Sequence, residues 1–188
     1  MNKVLAVGAH PDDIELGCQG TLEKHLRDGD EVVCAVYSKG REDLLDQKHD
    51  TVPLLDIIQW VEGQVEIYRP TIIYTHSGTD LNEDHKAIHK AVVTACRPLP
   101  DSIVREIYCF EILSSTTWGF GFNPTVFVAL DESLVAEKIR VLEENYEDEM
   151  RQWPHPRSRL GVGVLACFRG MAIGTEYAEA FELVRLIK

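Results

Sequence analysis

The chain has 188 residues, 45% of them hydrophobic and 27% charged, the balance of one globular domain spanning 1–188 rather than of a disordered or fibrous chain. Its formal net charge is −12, a sign that repels nucleic-acid phosphate and anionic lipid, so neither is expected as a partner. No apolar run approaches the roughly 18 residues of a membrane span, and Val4–Ala9 is too short for a signal-peptide core, so a cytoplasmic protein without a membrane span is expected.

Lys3–Ala9 is a short, mostly apolar run and reads as a buried strand. Ile14–Asp28 has helical spacing, with Leu16, Thr21, Leu22, His25 and Leu26 able to share a face, and Gly29 stops it. Glu31–Tyr37 reads as a second buried strand. The polar stretch Ser38–Thr51 shows little periodicity and reads as a surface loop. Val52–Tyr68 repeats its apolar residues three and four apart, a helix closed by Pro70, and Thr71–Tyr74 continues as a third strand. This βαβαβ order implies a parallel sheet with right-handed crossovers. Glu83–Cys96 reads as a helix with Asn82 as its N-cap. Strands are expected at Ile103–Leu113 and Val126–Leu130, a long helix at Glu132–Arg151, and a helix at Leu160–Phe168. Phe181–Ile187 reads as a strand or short helix. The five cysteines, at 18, 34, 96, 109 and 167, contain no CxxC pair, which excludes zinc-ribbon and thioredoxin-type sites; they read as small core residues.

The chemistry gathers in two loops. "AHPDD" follows the first strand and opens the first helix, and "THSGTDLNEDHKAIHKAV" follows the third strand and opens another helix. In open parallel sheets, ligands sit beyond the carboxyl ends of strands where strand order reverses. Strands one and three flank that point, so the loops should face each other across one crevice. Helix capping would account for one aspartate in the first loop, but not for His10, Asp12 and Asp13 together. Adjacent residues point in different directions, which suggests a division of labour: one carboxylate on a metal, the other on the water it activates. The second loop offers His76, Asp80, Asn82, Asp84, His85 and His89. His85 lies in the first helical turn, nearest the strand end, and is preferred over His89 one turn deeper. His and carboxylate ligands with an open position suit a catalytic metal.

Two further stretches suit a substrate. "QWPHPRSRLG" holds His155 between two prolines and follows it with Arg157 and Arg159, a rigid cationic loop in an acidic chain. "FEILSSTTWGFGF" places hydroxyls, Ser115 among them, at a strand end before Trp118, a combination suited to a polyhydroxylated ligand.

With these residues in place, the sequence resembles the LmbE/PIG-L family of zinc-dependent de-N-acetylases. The likeness runs nearly end to end, carried by "AHPDDIELGCQGTL", "YTHSGTDLNEDHKAIHKAVVTACRP", "FEILSSTTW", "PHPRS" and "AEAFELVR". It implies an α/β fold, a Rossmann-like three-layer sandwich with a mostly parallel central sheet. It implies Zn2+, or another divalent transition metal, on His10, Asp13 and His85. It implies Asp12 as general base on the zinc-bound water. The substrate class it implies is a small N-acetylated sugar or glycoconjugate of the N-acetylglucosamine type. Ser115, Trp118 and Arg157 are the expected substrate-binding residues, and a homo-oligomer is compatible with the pattern. The alternatives are an amidase acting on a non-sugar or thiol conjugate, and a non-catalytic metal- or nucleotide-binding module. The second is disfavoured because no GxGxxG follows the first strand. Two features depart from the family pattern. Asn82 stands where many members have a histidine, which leaves the acid role to Asp12 or His155. The stretch around Ser38–Arg41 is shorter than the pattern.

Overall fold

The computed structural model describes residues 1–37, 52–119 and 121–188. The expected polar loop, with the shortened stretch at Ser38–Arg41, lies outside the described residues. Strand β1 (Lys3–Gly8) is buried from Val4 to Gly8, and β3 (Ile72–His76) is buried throughout, as strands covered on both faces must be. The edge strand β2 (Glu31–Val36) is more open. Among the described residues, six strands form one sheet in the order β2-β1-β3-β4-β6-β5, with β4 at Glu106–Phe110, β5 at Val126–Leu130 and β6 at Tyr177–Leu186. The first four are parallel, and β6 runs antiparallel between β4 and β5. Strand order reverses between β1 and β3, as the sequence predicts.

Helices α2 (Leu54–Tyr68) and α3 (Glu83–Ala95) cover one face, around Leu5, Val7, Ile57, Val61, Ile73 and Ile88. Helices α1 (Asp13–Arg27), α4 (Glu132–Asn145) and α5 (Arg159–Met171) cover the other, around Ile14, Leu22, Phe110 and Phe181, then Leu134 and Ala166. The result is the expected α/β three-layer sandwich.

Helix α5 runs three residues past the expected Phe168 and α2 starts two residues after the expected Val52, and three other differences from the sequence reading have a physical reason. Helix α4 ends at Asn145, followed by a 3-10 turn at Glu147–Glu149, instead of running to Arg151. The segment carries Glu143, Glu144, Glu147, Asp148 and Glu149, whose like charges crowd the negative end of the helix dipole. Strand β6 starts at Tyr177, four residues before the expected Phe181. Its "YAEA" opening favours a helix by composition, but ladders with both β4 and β5 override that preference. Strand β4 is confined to Glu106–Phe110, where its neighbours supply partners. The cysteine reading holds for Cys18, Cys96 and Cys109, which are buried; Cys34 is exposed on edge strand β2 and Cys167 is partly exposed on α5.

Candidate metal centre and catalytic cleft

Asp13 opens α1 but is not an ordinary cap. Its Oδ2 accepts the backbone N–H groups of Ala9 (3.1 Å) and His10 (2.7 Å), and the Nε2 of His76, at the tip of β3, lies 3.1 Å away. Its Oδ1 is buried and makes no hydrogen bond among the described residues. His85 Nε2 stands 3.3 Å from that oxygen, and His10 Nδ1 stands 3.3 Å from His85 Nε2 and 3.2 Å from Asp13 Oδ2. Two imidazole nitrogens and an unpartnered carboxylate oxygen therefore converge. A tetrahedral ion with bonds of about 2.0–2.1 Å sets neighbouring ligand atoms roughly 3.3–3.4 Å apart, so these spacings fit a first-row divalent metal. His10, Asp13 and His85 form a cluster that could hold a metal ion, with ligand atoms within 4.8 Å of one another.

Each histidine has a carboxylate behind it. His85 Nδ1 lies 3.1 Å from Asp80 Oδ2, and His10 Nε2 lies 3.1 Å from Asp84 Oδ2. Such partners fix which ring nitrogen faces the ion and raise its basicity. Asp80 is itself held by Ser115 Oγ (2.9 Å), Thr116 Oγ1 (2.5 Å) and the Asn82 N–H (2.8 Å). The fields follow. Burial opposes charge on Asp80, but His85 and Thr116 hold its carboxyl down to about 2. Burial likewise opposes a proton on His85, yet Asp13 and Asp80 outweigh it and push the imidazole up to about 9. His76 has the reverse balance: burial and the neighbouring His85 bring it down to about 4, so it is neutral.

Asp12 faces elsewhere, as adjacency requires. Its side chain makes no capping bond to α1; its Oδ2 accepts from Arg157 Nη1 at 2.7 Å. Arg157 also donates to Ser114 Oγ and Glu149 Oε2. Burial, then the Asp13 carboxylate, raises the Asp12 carboxyl above its ordinary value, and Arg157 pulls against both. Asn82 caps α3 by accepting the Asp84 N–H on Oδ1 (2.9 Å), which leaves its amide NH2 for the cleft. His155 Nδ1 accepts the Arg157 backbone N–H at 3.0 Å, so the ring proton sits on Nε2.

One cleft is lined by Asn82, His85, Ser115, Trp118, His155 and Arg157, with Trp118 more than half exposed at its rim. The nine residues singled out from the sequence thus meet at one sheet edge, though Ser115 and Arg157 turn polar atoms onto Asp80 and Asp12 as well as lining the cleft. The sequence reading names His76 and Asp80 with the second loop but does not place them among the metal, catalytic or substrate residues. Their signal lies in the strand-tip position of His76 and in the "TDLN" turn before α3. His89, set aside in favour of His85, places Nδ1 2.9 Å from the His76 carbonyl oxygen and steadies the loop from behind.

The family model described as GlcNAc-PI de-N-acetylase, PIG-L, matches residues 5–53, which contain His10, Asp12 and Asp13. The chain is 28% identical to the "uncharacterized deacetylase YaiS" of Escherichia coli (strain K12), over 76% of this chain and 89% of that one. The chain is thus similar to the PIG-L (LmbE-like) family in the segment that carries the first loop of the site. Two solved structures share the fold of this chain. The N,N'-diacetylchitobiose deacetylase of Pyrococcus horikoshii has a TM-score of 0.73 at 16% identity, covering 98% of this chain and 84% of that one. The 4-carboxy-2-hydroxymuconate hydratase GalB of Pseudomonas putida KT2440 has a TM-score of 0.72 at 16% identity, covering 100% and 99%. The fold therefore carries more than one chemistry, and function has to be argued from the site. Among the described residues, no helix is long and apolar enough to cross a membrane.

Proposed function

We propose that this chain is a zinc-dependent deacetylase of the PIG-L (LmbE-like) family that hydrolyses the acetamide of a small N-acetylated sugar, of the N-acetylglucosamine type. The observation that carries this reading is the pairing of a three-ligand cluster with a separate buried carboxylate, Asp12, held by Arg157. The chitobiose deacetylase likeness and the deacetylase name of YaiS agree with it. Trp118 at the rim suits a sugar face. Bound at His10, Asp13 and His85, zinc would polarise the acyl oxygen and make a shared water acidic enough to attack at neutral pH.

The chain's own groups supply the proton traffic. Asp12 takes the proton of the attacking water and later returns it to the leaving amine. The Asn82 amide and His155 Nε2–H donate to the oxyanion, where charge develops. His155 suits donation better than proton delivery. A second proton on Nδ1 would break the bond it accepts from the Arg157 N–H. The acid role left open by the sequence therefore falls to Asp12.

The test is acetate release from N-acetylglucosamine derivatives by the zinc-loaded protein, with and without chelator. Asp12→Asn should retain zinc and lose about 10²–10⁴-fold in turnover. Near-full activity in that variant, or release unaffected by chelator, would refute the reading.

A further inference from the structure

Helix α5 is apolar on more sides than its packing uses. Val162, Ala166 and Gly170 face inward, and a Cβ at Gly170 would stand 2.7 Å from the Glu176 carbonyl, so this side is tightly seated. The opposite side carries Leu160, Val164, Phe168 and Met171, spaced three or four apart. Leu160, Phe168 and Met171 are more than half exposed, and Val164 nearly so. Exposed Trp153 and the outer side of α4, with Ile139, complete a groove between α4 and α5. A helix that is apolar all round is ordinarily buried. Together these side chains open on the order of 600 Å² of apolar surface, the upper end for a monomer and most of the roughly 800 Å² each partner gives to a stable dimer.

We propose that this groove is the contact face of a homodimer, in which the α5 helices of two copies cross antiparallel about a two-fold axis. The ends of the groove decide the occupant. Arg159 lies at the end nearest the catalytic cleft, three-quarters exposed, with its Glu143 partner 3.7 Å away. Glu132 lies at the far end beside Tyr177. A two-fold contact is self-complementary, setting residue i against j and j against i. Antiparallel α5 helices bring each Arg159 to the partner's Glu132, closing the groove with two cross-copy ion pairs. Phe168 of each copy then enters the other's groove. The groove is also free of the acidic excess that would keep two −12 chains apart: Arg140, Arg151 and Arg159 stand against Glu132 and Glu143. The same total charge argues against an anionic lipid surface as the occupant.

Sedimentation equilibrium of the full chain tests this. The wild type should be dimeric at about 10 μM, within the range of standard-size interfaces. Phe168→Glu should be monomeric with unchanged circular dichroism, and Leu183→Glu, on the exposed part of β6, should leave the dimer intact. Arg159→Glu or Glu132→Arg alone should weaken the dimer about tenfold in Kd, and the double variant should restore it. A monomeric wild type at 100 μM, a dimeric Phe168→Glu, or binding of the wild type to neutral phosphatidylcholine vesicles in preference to itself would overturn the proposal. Monomerisation by Phe168→Glu without rescue by the charge swap would overturn the antiparallel arrangement.

Discussion

Asp80 touches no reacting atom in the proposed reaction, yet it should set how tightly the metal is held. Its Oδ2 lies 3.1 Å from His85 Nδ1, and Ser115, Thr116 and the Asn82 N–H hold the carboxylate in place. Asp80→Asn keeps the shape and removes the charge. Loss of such a partner typically weakens metal affinity 10–100-fold, or about 1.4–2.7 kcal/mol. A second effect acts against this one. In the metal-free site His85 titrates at about 9, so at pH 7 it holds a proton that the metal must expel. Two pH units of competition weaken binding by about 2.7 kcal/mol. Asp80 is one of the groups holding that proton, so its removal relieves part of the competition. The two effects oppose each other at pH 7 and separate as pH rises. Competition with a chromophoric chelator should show wild-type Zn2+ affinity climbing by about tenfold from pH 7 to 8 and less steeply towards pH 9. The Asn variant should climb less, so that its deficit is small at pH 7 and approaches the full 10–100-fold near pH 9. Parallel curves for the two proteins, or a wild-type affinity independent of pH, would refute this account of the site.

Glu179 is buried and accepts from Lys138 Nζ (2.7 Å), the Gly20 and Thr21 N–H groups and the Thr21 hydroxyl, beside the break in α1 at Cys18. Glu179→Ala strands the buried lysine and should cost about 3–5 kcal/mol in guanidinium unfolding; a loss below 1 kcal/mol would show that the pair is not desolvated. Arg157→Met removes the cation that opposes the upward shift of the Asp12 carboxyl, so the acidic limb of the pH–rate profile should move to higher pH; an unmoved limb would detach Asp12 from that titration. Asp30 is held down to about 2 by the Asn2 N–H and by His25. Because its folded value lies below the unfolded one, its contribution is present above about pH 4 and vanishes as pH falls through 2. Asp30→Asn should therefore be slightly less stable than wild type at pH 6, by under about 1 kcal/mol for a part-buried surface ion pair, and should converge on it below pH 2.

The parallel half of the fold is legible because its signals are local and agree with one another. β1, β2 and β3 are short apolar runs punctuated by Gly29 and Pro70, and each helix between them repeats at three and four. The antiparallel half is less so. β6 carries alanines and glutamates that become a strand only because β4 and β5 lie on either side, a fact of topology that composition does not hold. Asn82 shows the opposite case: its capping bond is a contact over two residues and is predicted from the sequence alone.

At the site, candidate ligands are easier to read than the groups behind them. His10 and Asp13 are three apart, and His85 opens a helix at a position any βα unit would bring to the same edge. Arg157 is different. It lies 145 residues from Asp12 in sequence, and an arginine in an acidic chain reads first as a grip on substrate. The geometry gives it a further task. In the proposed reaction Asp12 is a carboxylate when water is attacked and an acid when the amine leaves. Burial and Asp13 favour the proton, Arg157 favours its absence, and Glu149 tempers the guanidinium from its other side. In the proposed reaction these opposing influences act on the one carboxyl that has to take a proton and return it within a cycle.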